Sequence, residues 1–254
     1  MNIVEVYNKY NKQLIILVSG LSGSGKTKLA DNLKNLMHIK LVNAERYYKK
    51  ENTNVVTLTN GMKVTDWDHI DTYDWKTINE EVNKVKSEGV ILCGAYLPTN
   101  KLDFKPDFHL HIKISKQKLI EKRHEFMKTH PDKYDGFDKI LDTPTEQLMI
   151  NQITYPHYLD YLKESKIDKW LNANELSDDE IYDQAFNYLM YAINEYIKLN
   201  SNEINMFLKG TSSKAVEQAV SGSAKKVGTT RLKIKDSSSD DLSDTPIYLG
   251  TTAY

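Results

Sequence analysis

The sequence predicts a three-layer α/β fold with a mainly parallel five-stranded sheet and a low-complexity C-terminal tail. Three observations carry that reading. Residues 14–18 and 90–96 are apolar without alternation, as strands buried on both faces of a parallel sheet have to be. Period-3.6 stretches lie between and after such runs, as in Leu29, Leu33 and Leu36 or Ile181, Ala185, Tyr188, Leu189, Ala192, Ile193 and Tyr196, so strands alternate with amphipathic helices. From Asn200 onward Ser, Thr, Gly and Asp dominate, and a basic patch (Lys225, Lys226, Arg231, Lys233, Lys235) precedes an acidic one (Asp236, Asp240, Asp241, Asp244). Such a composition buries too little apolar surface to order itself. Residues 1–199 are therefore expected to form one domain, and 200–254 a mostly disordered tail with one short helical stretch near 214–220.

The first strand runs into Gly20-Leu21-Ser22-Gly23-Ser24-Gly25-Lys26-Thr27, which matches the phosphate-loop pattern G-x-x-x-x-G-K-[ST] at every fixed position. A strand before it and a helix after it supply the context the pattern needs, against the bland reading of a Gly/Ser-rich turn with an exposed lysine. Gly20, Ser22, Gly23, Ser24 and Gly25 let backbone N–H groups turn inward on phosphate oxygens at the positive end of a helix. Lys26 is expected to reach the β/γ-phosphates of ATP, and the Thr27 hydroxyl to ligate Mg²⁺.

The next strand, 39–43, ends at Glu45, and in open α/β sheets ligands collect at the carboxyl ends of strands. Glu45 is thus a candidate for Mg²⁺ or for a substrate hydroxyl. Residues 55–59 and 62–65 flank Asn60-Gly61, a strong hairpin signal. Residues 66–75 then pack four carboxylates, His69 and three aromatics into a short stretch ahead of a helix through Glu88. A metal cluster there has a poor ligand set, and Asp residues at a helix entrance are the plain alternative. Strands follow at 90–96 and 108–114; in the second, His109 and His111 are read as solvated positions in preference to metal ligands. A basic helix from Ser115 carries Lys116, Lys118, Lys122, Arg123 and Lys128, and 131–136 breaks it. Thr143-Pro144-Thr145-Glu146 reads as a capping box opening a helix to about Glu164. An edge strand at 169–173 and a second capping box, Ser177 to Glu180, lead into the last long helix.

Taken together, the loop, the 44–49 segment, the stretch Trp67-Asp68-His69-Ile70-Asp71-Thr72-Tyr73-Asp74 and the strand 90–94 resemble the uridine kinase and phosphoribulokinase group of P-loop kinases. That resemblance covers roughly residues 12–198. It implies a P-loop NTPase-type fold, transfer of the ATP γ-phosphoryl group to a hydroxyl of a nucleoside-like small molecule, and Mg²⁺ as cofactor. It puts Glu45 where the group has its catalytic aspartate, Asp68 on the sugar hydroxyls with His69 and Tyr48 beside it, and Arg123 among the lid cations with Lys122, Lys128 and Lys133. The sequence departs from the group at three places: Cys93 stands where an acidic residue is usual, the nucleoside-clamping hairpin between the 75–88 helix and the next strand is missing, and the lid is mostly lysine. Alternatives are a kinase for another acceptor, such as nicotinamide riboside or a nucleotide, and a nucleotide-binding regulator without catalysis whose tail binds a protein partner.

A formal net charge of −1 gives no call for nucleic acid or an anionic membrane. One cysteine excludes an internal disulfide framework and suits a reducing compartment. With no apolar run near the length of a membrane span, the expected location is the cytoplasm.

Overall fold

The computed structural model describes residues 2–129 and 143–208. Five parallel strands form the main sheet: β1 (Ile15–Gly20), β2 (Lys40–Asn43), β5 (Val90–Gly94), β6 (Phe108–Lys113) and β7 (Lys169–Asn172), in the spatial order β2-β5-β1-β6-β7. β1 and β5 are buried along their whole length, which explains their unbroken apolar character. Strand order reverses around β1, since the chain leaves it for the β2 edge and later crosses it to reach β6. The crevice at the carboxyl end of β1 is thus the place where this topology leaves room for a ligand.

Around the sheet lie α1 (Ile3–Asn11), α2 (Lys26–Met37), α3 (Trp75–Val85), α4 (Lys116–Thr129), α5 (Thr143–Met149), α6 (Tyr155–Glu164), α7 (Asp178–Leu199) and α8 (Ser201–Phe207). A π-helical turn, Ile150–Thr154, joins α5 to α6. The hairpin around Asn60-Gly61 is present as β3 (Val55–Thr57) and β4 (Lys63–Thr65), antiparallel and separate from the main sheet. It leans on the π turn through Leu58, Val64 and Ile153, so the hairpin and the α5–α6 segment wall one side of the crevice.

Four expectations change. The N-terminal residues form α1, whose capping box is Asn2 with Glu5 (2.9 and 3.1 Å) and whose Ile3, Val4, Val6 and Tyr7 enter the core. Residues 201–208 are not tail: α8 buries Ile204 and Leu208 against the core and ties Tyr10 to Glu203 at 2.7 Å. The remaining 209–254, including the helical stretch expected near 214–220, lie outside the described residues, as does the break at 131–136. Glu146, expected as part of a capping box, lies against Arg123 and His124.

Fourth, His109 and His111 are not solvated. Both are buried with Ser19, whose hydroxyl lies 2.7 Å from His109 Nε2 and 2.8 Å from His111 Nδ1. The alternation of β6 is real, but its polar face is covered by α6, and Tyr158 and Tyr161 supply hydroxyl partners to the imidazoles. Polar side chains stay buried here because each finds a hydrogen bond.

Candidate active site

β1 ends at Gly20, and the chain turns through Gly23 and Gly25 into α2. A Cβ on Gly20 would fall 2.7 Å from Ser24 Oγ and 3.0 Å from the Ile112 carbonyl, so only glycine fits this crossing. Gly23 has φ +94°, and the stem of Arg123 packs where its Cβ would be. α2 has no side-chain cap, so the N–H groups of its first turn have no intrahelical acceptor and face the loop's concavity. Ser24 Oγ is buried without a hydrogen-bond partner among the described residues. An uncapped helix start, an orphaned hydroxyl and a buried lysine fit a polyphosphate anion.

Lys26 is almost wholly buried, and its Nζ lies 2.7 Å from Glu45 Oε1. Glu45 reaches it from a 3₁₀ turn, Ala44–Arg46, that follows β2 and is fixed by the Asn43 side chain accepting from Glu45 N at 3.0 Å. Local sequence thus determines the carboxylate's position: an Asx-type turn at the end of a strand aims the next acidic residue at the loop. Between them, on β5, sits Cys93. Burial pushes its thiol up to about 12, so it stays protonated, and it is hydrogen-bonded with Thr27. The thiol therefore contributes no charge. The Thr27 hydroxyl and the Glu45 carboxylate are hard oxygen donors of the kind that suit Mg²⁺.

Across the crevice the segment after β4 supplies a second carboxylate group. Asp66 is buried and accepts from Asp68 N (3.0 Å) and from His157 Nε2 (2.7 Å). That hydrogen bond raises the His157 pKa, because it favours the imidazolium. Asp68 accepts from Thr154 Oγ1 at 2.6 Å and from Tyr96 OH at 3.4 Å. Burial pushes its carboxyl above the usual range, while the charge of Arg123 works in the opposite direction. Tyr48 stacks on Tyr73 at 4.7 Å, meets Trp67 edge-on at 5.7 Å and donates to Tyr73 OH at 3.2 Å. Burial raises its phenol first, and the charges of Glu45 and Asp68 both add to the shift. His69 instead caps a 3₁₀ turn by accepting from Asp71 N at 3.2 Å, with its ring edge-on to His157 at 5.5 Å.

Arg123 comes in from α4. Its Nε donates to the Ser22 carbonyl at 2.9 Å, and its Nη1 lies 3.5 Å from Glu146 Oε1. It therefore touches the loop while its charge is felt at Asp68. Lys122, expected beside it in the lid, goes elsewhere: its Nζ binds Asp178 at 2.7 Å, on the outer side of the loop with Lys28 at 3.3 Å. Lys128 is exposed on α4, and Lys133 lies outside the described residues. Lys26, Glu45 and Arg123 are thus gathered at the loop with Thr27 and Cys93, while Tyr48 and Asp68 stand where the charges of Glu45 and Arg123 act on them. Sequence reasoning missed Thr154, Tyr96 and His157, none of which sits in a motif, and had Glu146 in view only as part of a capping box and Asp66 only as part of an acidic stretch.

A parallel sheet of this order with a phosphate loop after its central strand defines a P-loop α/β protein. No family model matches the chain. The chain is similar to a curated protein of Dictyostelium discoideum named "Probable gluconokinase", 26% identical over 207 residues, covering 73% of this chain and 94% of that protein. Among solved structures, a gluconokinase from Sinorhizobium meliloti 1021 matches at 15% identity with a TM-score of 0.46, over 73% of this chain and 97% of the other. A shikimate kinase from Aquifex aeolicus vf5 matches at 14% identity and a TM-score of 0.41, over 69% and 96%.

Proposed function

We infer that the protein is an ATP-dependent kinase that phosphorylates a hydroxyl of a small polyhydroxylated acceptor, of the sugar-acid class. The observation that carries it is the Lys26–Glu45 contact of 2.7 Å at the switch point of the sheet, with Asp68 and Arg123 across the same crevice. In this reading the loop amides and Lys26 hold the ATP phosphates, and Lys26 leaves Glu45 when phosphate oxygens compete for it. Thr27 and Glu45 would hold Mg²⁺, which would neutralise phosphate charge. Glu45 orients the acceptor hydroxyl. As the acceptor oxygen bonds to the γ-phosphorus, the bond to the β–γ bridging oxygen breaks, ADP leaves, and the hydroxyl proton passes to Glu45. Positioning and charge neutralisation supply most of the rate in such transfers.

The acceptor class rests on two supports. The relative from Dictyostelium is named as a gluconokinase. The acceptor side also combines a hydroxyl-binding carboxylate, Asp68, with cationic partners for an acid, Arg123 and a His157 whose protonated form Asp66 favours. The uridine-type acceptor implied by the resemblance shares every step except this last contact set, and the Tyr48–Trp67 aromatic pair is the feature that favours it. A chain carrying one buried cysteine and using ATP fits the cytoplasm. Coupled assay of ADP release with Mg²⁺–ATP against gluconate, shikimate, uridine, cytidine and nicotinamide riboside tests the assignment. Turnover with a sugar acid well above the nucleosides is expected. Preference for a nucleoside would return the acceptor to the uridine-kinase reading, and ADP release that no acceptor stimulates would overturn the kinase assignment.

A further inference from the structure

We propose that Glu146 is a positioning residue that sets the pose of Arg123 between the phosphate loop and the acceptor; this rests on the kinase reading above. The Glu146 side chain is only 2% exposed. A buried carboxylate persists only when paired, and its partners are two consecutive residues of α4: Arg123 Nη1 at 3.5 Å and His124 Nε2 at 2.8 Å. Successive residues of a helix point about 100° apart, so both side chains must bend toward the same carboxylate. Arg123 is also held at Nε by the Ser22 carbonyl and along its stem by Gly23. A guanidinium fixed at two of its three nitrogens has lost most of its rotamer freedom before any ligand arrives, so less has to be ordered on binding.

His124 Nε2 makes the shorter contact with the carboxylate and Arg123 Nη1 the longer one, so Glu146 holds the Nη1 side of the guanidinium while the Ser22 carbonyl holds its Nε. Because Glu146 stands on α5 and Arg123 on α4, the carboxylate also ties the helix touching the loop to the helix leading into the Thr154 turn.

A double-mutant cycle decides the matter, with kcat and KM measured for Glu146→Gln, Arg123→Ala and the double variant, and thermal melting on all three. A positioning role requires Glu146→Gln to lower kcat about 10- to 100-fold with acceptor KM little changed, and to cost nothing more once Arg123 is alanine. Should Glu146→Gln not fold, Glu146→Asp, which keeps the charge but withdraws it, is read in the same cycle with the same pattern expected. Additive losses in the two backgrounds, or a lowered melting temperature with unchanged kcat, would show that Glu146 only stabilises the fold and would overturn the proposal. Failure of the wild-type protein to turn over any acceptor would remove the kinase reading and this role with it; turnover with additive losses removes the role alone.

Discussion

At the scale of residues, two carboxylates with different surroundings should part company kinetically. Glu45 faces Lys26 and the loop, so its contact with the acceptor hydroxyl matters most as the hydroxyl attacks; Glu45→Gln should lower kcat about 10²- to 10⁴-fold with little change in acceptor KM. Asp68, held by Thr154 and Tyr96 on the acceptor side, should bind ground and transition states alike. Asp68→Asn is expected mainly to raise acceptor KM, costing about 1.5 to 3 kcal/mol in kcat/KM; equal kinetic signatures would merge the two roles. The buried histidines have their own test. His109 Nδ1 must donate to the Lys166 carbonyl (2.9 Å), which leaves its Nε2 to accept from Ser19 and forces His111 Nδ1 to donate to the same hydroxyl. A proton added to either ring would put a charge in the core and make the hydroxyl facing it, Ser19 or Tyr158, turn from donor to acceptor. Burial accordingly holds their pKa values down, to about 4 and about 3. A depressed histidine pKa stabilises the fold fully above the unfolded value near 6.5, and that stability is lost as pH falls toward 4. His157, with its raised pKa, works oppositely and stabilises at lower pH. Denaturant titrations between pH 7 and 4 should show stability falling with pH; a flat profile would contradict the tautomer lock.

The elements differ in how plainly the sequence announces them. The strands β1 and β5, the phosphate loop, the Asn60-Gly61 hairpin and α7 each carry a local rule: unbroken apolarity, glycine spacing, a two-residue turn or a capping box. Ser177 shows such a rule at work, accepting from Glu180 N at 3.3 Å while Glu180 reaches back to Ser177 N at 2.8 Å; Ser177→Ala should cost about 1 kcal/mol in chemical denaturation. Elements that depend on what packs against them were harder to read. β6 alternates, but only the structure reveals that α6 covers its second face. α1 opens with Asn2 and Glu5, a capping box legible in principle, yet too short a segment to stand without α7 behind it. α8 falls inside the segment expected to be tail, because the Ser-, Thr-, Gly- and Asp-rich composition after it masks the short apolar stretch Ile204, Met206, Phe207 and Leu208, of which Ile204 and Leu208 are buried. Ending the chain after Leu199 should therefore lower stability by about 3 kcal/mol relative to ending it after Leu208, the worth of two buried aliphatic side chains. Equal melting of the two truncations would show that α8 does not contribute.

At the scale of the whole molecule, the kinase proposal sets a nucleotide cradle at the phosphate loop beside an acceptor wall built from Asp68 and its partners. The cradle was legible because phosphate binding uses backbone and therefore demands a fixed local spacing. The acceptor wall was only half legible, since Asp68 comes from a recognisable stretch while Thr154, His157, Glu146 and Tyr96 converge from separate segments. Recognition of a small acceptor depends on such convergence, which a local motif does not report. The most direct test is phosphorus NMR of the reaction of Mg²⁺–ATP with gluconate, run with wild-type protein and with Lys26→Ala. Wild-type protein should convert the γ-phosphate resonance into a phosphomonoester of the acceptor, and Lys26→Ala, still folded, should give none. Release of inorganic phosphate without an ester, or undiminished ester formation by Lys26→Ala, would contradict it.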